Sequence, residues 1–255
     1  MRFATMGSGS KGNATLVDEN DSALLVDCGL SYSRVRSLAS EKNYDLDKLD
    51  GIFVTHEHSD HIGGVKNLSR GLKIPVYATS GTIAASGNRF DDVYELKEIG
   101  LDKNITLGPF EITPVIVPHD AQEPCQFIIT ARFKRLGILT DLGHVTAYVR
   151  KMYGTLDALV IEFNHDLDML QASDYRQILQ RRISGPYGHL SNDQAEEFLG
   201  GINYQTMSHL VAAHLSEKTN SPSIVLACLD RVVPSTVNTY VATQVDFSPW
   251  FVISG

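Results

Sequence analysis

Short apolar runs, broken by Gly, Ser and Asp, set the rhythm of this chain. Residues 2–6, 14–18 and 23–27 alternate or run apolar. A Gly/Ser loop and the turn-like Asp18-Glu19-Asn20-Asp21 separate them, which predicts antiparallel strands. A helix follows, with Ser31 or Ser33 as cap and Val35, Leu38 and Ala39 on one face. Residues 51–55 read as a short buried strand, 62–71 as helix and 75–78 as strand. Strands are predicted over 104–107, 110–117, 126–132 and 137–140, then a helix over 145–153 and a buried strand over 157–162. One helix is predicted over 167–182, and Ser191-Asn192-Asp193-Gln194 opens another through a capping box. Residues 210–213 read as strand, 221–229 as helix, and 236–241 and 249–253 as closing strands. No linker, low-complexity tract or repeat period interrupts this order. It predicts one layered domain over residues 1–255, of α/β (α+β) class, with two mixed sheets face to face and helices outside.

The bulk composition agrees with that picture. A chain of 255 residues that is 43% hydrophobic can bury a large core. No apolar run approaches the ~18 residues that suggest a transmembrane helix. The opening Met1-Arg2-Phe3-Ala4-Thr5-Met6-Gly7 turns polar too early for a signal peptide, so the cytoplasm is the expected location. Cys28, Cys125 and Cys228 are odd in number and far apart, which predicts reduced, buried thiols rather than a disulfide framework. The net charge of -8 argues against sequence-independent binding along a long phosphate backbone. It leaves open a nucleic acid held locally by metal ions, whose charge the formal count omits.

The chemistry concentrates in Thr55-His56-Glu57-His58-Ser59-Asp60-His61, where several potential metal ligands follow a buried strand. A strand end opening into a loop can turn such side chains towards one point, whereas a regular helix or strand would splay them. Imidazoles mixed with carboxylates suit zinc, manganese or iron. Gly63-Gly64 then lets the backbone fold closely around the site.

The pattern H-x-H-x-D-H after a short apolar strand resembles the signature of the metallo-β-lactamase superfamily. Further resemblances follow in order: Pro118-His119-Asp120, Asp141-Leu142-Gly143 and His214-Leu215-Ser216, each after a predicted strand. The resemblance implies a four-layer αββα sandwich and a pair of divalent ions, Zn2+ or Mn2+. It implies that His56, His58 and His119 hold one ion, that Asp60, His61 and His214 hold the second, and that Asp141 bridges them. Asp60 would also orient the attacking hydroxide. Asp27 matches the superfamily's early aspartate, and would support a ligand or serve as a plain turn residue. Asp141 with His214 favours the branch of phosphodiesterases, nucleases and thioester hydrolases.

A narrower resemblance, to the YycJ/WalJ/VicX branch, rests on Gly7-Ser8-Gly9-Ser10-Lys11-Gly12-Asn13, Leu25-Val26-Asp27-Cys28-Gly29, Glu162-Phe163-Asn164-His165-Asp166 and Gly188-His189-Leu190-Ser191-Asn192. It implies nuclease activity, including exonuclease action on DNA. Phe163, where a small residue is usual, and the single Asn220, where a pair is expected, depart from the branch and are expected to bear on substrate fit. His165 and His189 are candidates for phosphate binding or leaving-group protonation, with a supporting structural role as the alternative. Ser191 and Asn192 are candidates for phosphate binding at a helix start, or a helix cap and no more. Ser8 and Ser10 would lie near substrate. His144 is more readily a bystander, and His209 structural. Arg176, Arg181, Arg182, Lys134 and Arg135 could form a basic rim, though a solvated surface is the plainer reading.

Gly7-x-Gly9-x-x-Gly12 satisfies the dinucleotide fingerprint literally, but that fingerprint needs a following helix and residues 13–17 read as strand. The expected partner is therefore a nucleic acid or a small phosphodiester, with no membrane. Hydrolysis of a small ester, thioester or cyclic phosphodiester is the alternative activity.

Overall fold

The alternating runs pair as strands, and the parallel ones away from the sheet edges are buried on both faces. The computed structural model describes residues 1–254. Its first half comprises β1 (Arg2–Gly7), β2 (Ala14–Glu19), β3 (Ser22–Val26), α1 (Tyr32–Glu41), β4 (Leu49–Phe53), α2 (Ser59–Ile62), α3 (Val65–Leu72), β5 (Pro75–Thr79), α4 (Ser80–Ala85) and β6 (Glu95–Ile99). The second half comprises β7 (Ile105–Leu107), β8 (Phe110–Ile116), β9 (Cys125–Ala131), β10 (Lys134–Leu139), α5 (Ala147–Tyr153), β11 (Ala158–Glu162), α6 (Leu167–Ala172), α7 (Gln177–Ile183), α8 (Asn192–Leu199), β12 (His209–Ala213), α9 (Pro222–Val232), β13 (Asn238–Val241) and β14 (Phe251–Val252).

Two seven-stranded sheets result, ordered β14-β1-β2-β3-β4-β5-β6 and β13-β12-β11-β10-β9-β8-β7. The first is antiparallel from β14 to β3 and parallel from β3 to β6. The second is parallel from β13 to β10 and antiparallel from β10 to β7. Between the sheets, Phe3, Leu24 and Phe53 meet Phe110, Phe127 and Val160. Outside the first sheet, Val35, Leu38, Val65 and Leu68 of α1 and α3 cover Leu25, Ile52 and Val76. Outside the second, Val149, Phe198 and Leu229 of α5, α8 and α9 cover Leu159, Ile161 and Leu210. Each such side chain contributes about 1.5–3 kcal/mol on burial, and the layering is α/β/β/α as expected.

Three features depart from the sequence reading. The helix predicted over 167–182 is broken between α6 and α7. Ser173 leaves the helical region (φ -71°, ψ 162°), and its hydroxyl donates to the Leu170 carbonyl at 2.7 Å, competing with the helical ladder. Strand β6 escapes the pattern because it is an edge strand, largely exposed and carrying Glu95, Lys97 and Glu98. Helix α4 was also unforeseen; its start is set by the Thr79 hydroxyl, which accepts from Thr82 N.

Candidate metal centre and active site

The chemistry-bearing residues collect at the C-terminal ends of β3, β4, β10, β11 and β12, the usual place for a site in parallel strands. Three of them leave their strands in left-handed backbone conformation: Asp27, Asp141 and His214, with φ of 60°, 50° and 56°. Such a conformation in a non-glycine residue costs of order 1–3 kcal/mol and persists only where the surroundings enforce it. Here it turns each side chain off the strand line towards a common centre. After β4 the chain passes through the loop of residues 54–58 into the single turn of α2, so that His56 and His58 precede the helix and Asp60 and His61 lie within it. A Cβ at Gly29 would collide with the Asp60 carbonyl, so this position must stay side-chain-free for α2 to dock.

The ligand atoms of His56, His58 and His119 lie within 4.8 Å of one another, as do those of Asp60, His61 and His214. Asp141 groups with His56 and His61, and so sits between the two sets. Both Nε2 of His56 and Oδ2 of Asp141 are buried with no hydrogen-bonding partner. An unpaired buried polar atom costs about 1–3 kcal/mol, a penalty that a cation at this centre would remove. The nitrogen and oxygen donors, crowded and mostly buried, therefore suit divalent ions.

Neighbouring groups orient these imidazoles. Asp27 Oδ2 lies 2.8 Å from His61 Nδ1 and accepts from the Thr55 hydroxyl, while Oδ1 accepts from Thr55 N at 2.8 Å. The Thr55 hydroxyl lies 2.9 Å from His56 Nδ1, and His119 Nδ1 lies 2.9 Å from the Gly188 carbonyl. In each case the δ nitrogen is occupied, which turns Nε2 towards the centre. Ser8 accepts from His214 N at 2.7 Å and is buried, so it braces His214 rather than facing the cleft.

Glu162, the last residue of β11 and fully buried, is the functional residue that the sequence reading left without a role. Its Oε1 lies 2.8 Å from His189 Nδ1 and 2.9 Å from His214 Nδ1, and its Oε2 accepts from Leu142 N and Leu190 N. Burial alone would keep this carboxyl neutral; His189 and His214 outweigh it and bring its pKa down to about 2. Burial likewise opposes a charge on His214, but Asp141, Asp60 and Glu162 outweigh it and raise it to about 10. His189 moves up on the same balance, its burial outweighed by Glu162 and Asp141. The detectable signal was positional: a carboxylate ending a buried parallel strand between those that end near Asp141 and His214. Asn13 was also left unassigned. Its Nδ2 lies 3.0 Å from His61 Nε2 and donates to Asp60 Oδ2 at 3.3 Å, contacts across 47–48 residues that no local pattern announces.

The centre opens into a cleft of about 380 Å³, lined among others by Ser10, His58, Ser59, Asp60, Asp141, His189 and His214. Several expected substrate contacts do not line it. Ser191 is buried as the N-cap of α8, accepting from Gln194 N in a complete capping box. Asn192 is buried against Asn220, each amide donating to the other. His165 is fully buried, neither ring nitrogen has a partner, and burial brings its pKa down to about 4. The expectation that Phe163 and Asn220 bear on substrate fit is corrected: Phe163 is fully buried in the outer core of the second sheet, and Asn220 donates to its carbonyl. Lys134 pairs with Asp157 and Arg135 donates to the Thr155 carbonyl, at the end of β10 opposite Asp141, so neither joins a rim. Arg182 does line the cleft, 2.6 Å from Asp120. His144 is exposed, and His209 packs edge-on against Phe3.

The Beta-lactamase superfamily domain matches residues 23–214. The chain belongs to the metallo-β-lactamase superfamily. It is 32% identical over 237 residues to the exodeoxyribonuclease YycJ of Bacillus anthracis, covering 91% of this chain and 89% of that one. It is 34% identical over 226 residues to the exodeoxyribonuclease WalJ of Streptococcus pneumoniae serotype 2, covering 86% and 83%. Among solved structures, the metallo-β-lactamase fold protein YhfI from Bacillus subtilis superposes with a TM-score of 0.73 at 18% identity, covering 97% of this chain and 98% of that one. Zn(2+)-bound PqqB from Methylobacterium extorquens does so with 0.75 at 17%, covering 98% and 100%. These two likenesses are of fold alone. As a member of the superfamily, the chain is a metal-dependent hydrolase whose fold employs divalent ions. Among the described residues no helix is long and apolar enough to cross a membrane.

Proposed function

We propose that this protein is an exodeoxyribonuclease that hydrolyses phosphodiester bonds with two divalent cations, Zn2+ or Mn2+, held by His56, His58 and His119, by Asp60, His61 and His214, and by Asp141 between them. The convergence of these seven side chains, of which His58, Asp60, Asp141 and His214 line one cleft, carries the reading. The names of the relatives that match over most of the chain support the DNA substrate. Bound there, two divalent ions supply charge neutralisation at the phosphodiester and activation of water at neutral pH.

The remaining work belongs to the protein. Asp60 lines the cleft with a partly exposed carboxylate and orients the attacking water, accepting its proton. His189 gives its Nδ1–H to Glu162, which leaves Nε2 to protonate the departing oxygen. Glu162 and Asp141 favour the charged imidazole that this step requires. His165, buried outside the cleft wall and uncharged at neutral pH, supports this region of the fold, and the acid role falls to His189.

The test uses metal-loaded protein with end-labelled single- and double-stranded DNA and RNA. Mononucleotides should accumulate from DNA ends, and Asp141→Asn should fall to background. No cleavage beyond that of Asp141→Asn would overturn the proposal. Turnover of a small ester, thioester or cyclic phosphodiester without DNA cleavage would replace it with the alternative hydrolase.

A further inference from the structure

Helix α7 has no buried residue, although Ile178, Leu179 and Ile183 make it partly apolar. None of these side chains, nor Tyr175, belongs to the hydrophobic clusters among the described residues. Ordinary packing therefore does not account for them. Tyr175, Leu179, Arg182 and Ile183 instead line the cleft, the last three at i, i+3 and i+4 on one helical face. The rest of the lining is more polar, and includes Ser10, Ser59, Asp120, Asn164 and Ser216. The α7 part of the lining is thus aromatic, aliphatic and, through the Arg182–Asp120 pair, ionic, beside the candidate metal ligands His58, Asp60, Asp141 and His214.

Charge sharpens the contrast. In a chain of net charge -8, residues 175–182 carry Arg176, Arg181 and Arg182, of which Arg182 pairs with Asp120 of the same cleft at 2.6 Å. Lys218, paired with Asp174 at 3.3 Å, places its ammonium 5.2 Å from the Tyr175 ring. A site for a small anion has no use for an uncovered apolar shelf. A polyanion with flat, apolar bases needs both features.

We infer that the α7 wall is the base-binding subsite of the enzyme: Tyr175 and Leu179 hold the nucleobase next to the scissile phosphate, and Arg182 holds a flanking phosphate. This rests on the nuclease reading and adds to it that the substrate is taken as unpaired strand, since a base inside a duplex does not offer its face. Sequence preference is weak on such a wall, because every base has a stacking face.

The test measures two quantities on metal-loaded protein: cleavage by the wild type, and equilibrium binding by Asp141→Asn, which is expected not to turn over. The probes are a fluorescein-labelled single-stranded oligonucleotide and the same strand with abasic residues at its end. The natural end should be preferred by roughly tenfold, the size of one lost stacking contact. Tyr175→Ala should remove that preference and leave the abasic strand unaffected, while Tyr175→Phe restores it. A merely structural Tyr175 would move both strands together. A preference that survives Tyr175→Ala, or no preference in the wild type, overturns the inference. Tyr175-dependent binding without any DNA cleavage would keep the subsite and overturn the nuclease proposal alone.

Discussion

Replacing Glu162 with Gln keeps its volume and removes one acceptor oxygen. In the native site all of its acceptor directions are used: two backbone N–H groups converge on Oε2, and the δ nitrogens of His189 and His214 converge on Oε1. A glutamine must therefore point its NH2 group at two donors, whichever way the amide turns. Aimed at Leu142 N and Leu190 N, it breaks two buried backbone bonds, each costing about 1–3 kcal/mol when left unmade. Aimed at the imidazoles, it forces their protons onto Nε2, the atom that His214 would offer to a cation. Loss of such a supporting partner typically weakens metal binding about 10–100-fold, which is roughly 1.4–2.8 kcal/mol. The effect should fall on one of two sites. A titration of metal-free Glu162→Gln with zinc against a competing chelator should show one equivalent bound as in the wild type and one weakened by that factor. Two equivalents bound with unchanged affinity would refute both the hydrogen-bond accounting and the assignment of His214.

Further substitutions separate architecture from chemistry. Ser191→Ala removes the α8 cap and should lower stability by about 1 kcal/mol in urea unfolding, with KM for DNA unchanged; a raised KM would return Ser191 to the substrate site. Phe163→Ala should cost about 3–5 kcal/mol of stability, read from the same unfolding curves, because the side chain is fully buried in the outer core. Gly29→Ala should lower soluble yield and metal content together, since its methyl would displace the Asp60 carbonyl; wild-type metal content would contradict the close approach. Cys28 and Cys125 should resist a thiol-specific chromogenic reagent until urea is added. Both are fully buried, and burial together with Asp27 raises Cys28 to about 12.

Much of this was legible from the sequence because the superfamily writes its ligands at strand ends. An apolar run followed by His, Asp or Glu marks both the end of a strand and the start of a site. That rule found Asp27, His56, Asp141 and His214, and applied once more to residues 158–162 it would have singled out Glu162. It does not work for Asn13, whose partners His61 and Asp60 lie 48 and 47 residues away and are reached only when β2 pairs with β3 and α2 docks on Gly29. Nor does it separate His189 from His165. His165 follows the end of β11 and His189 the turn of residues 184–188, yet it is His189 that lines the cleft against Glu162, while His165 is enclosed with no partner on either nitrogen.

The break at Ser173 shows the same limit in another form. A helical period runs through residues 167–182, and a continuous helix would satisfy it. The chain instead spends one hydroxyl on the Leu170 carbonyl, ends α6, and restarts as α7 over the mouth of the cleft. Periodicity reports that one face is apolar, but not what that face meets. For α8 and α9 it meets the second sheet. For α7 it meets the cleft, and the same pattern that elsewhere builds a core here builds a wall against which a substrate can lie.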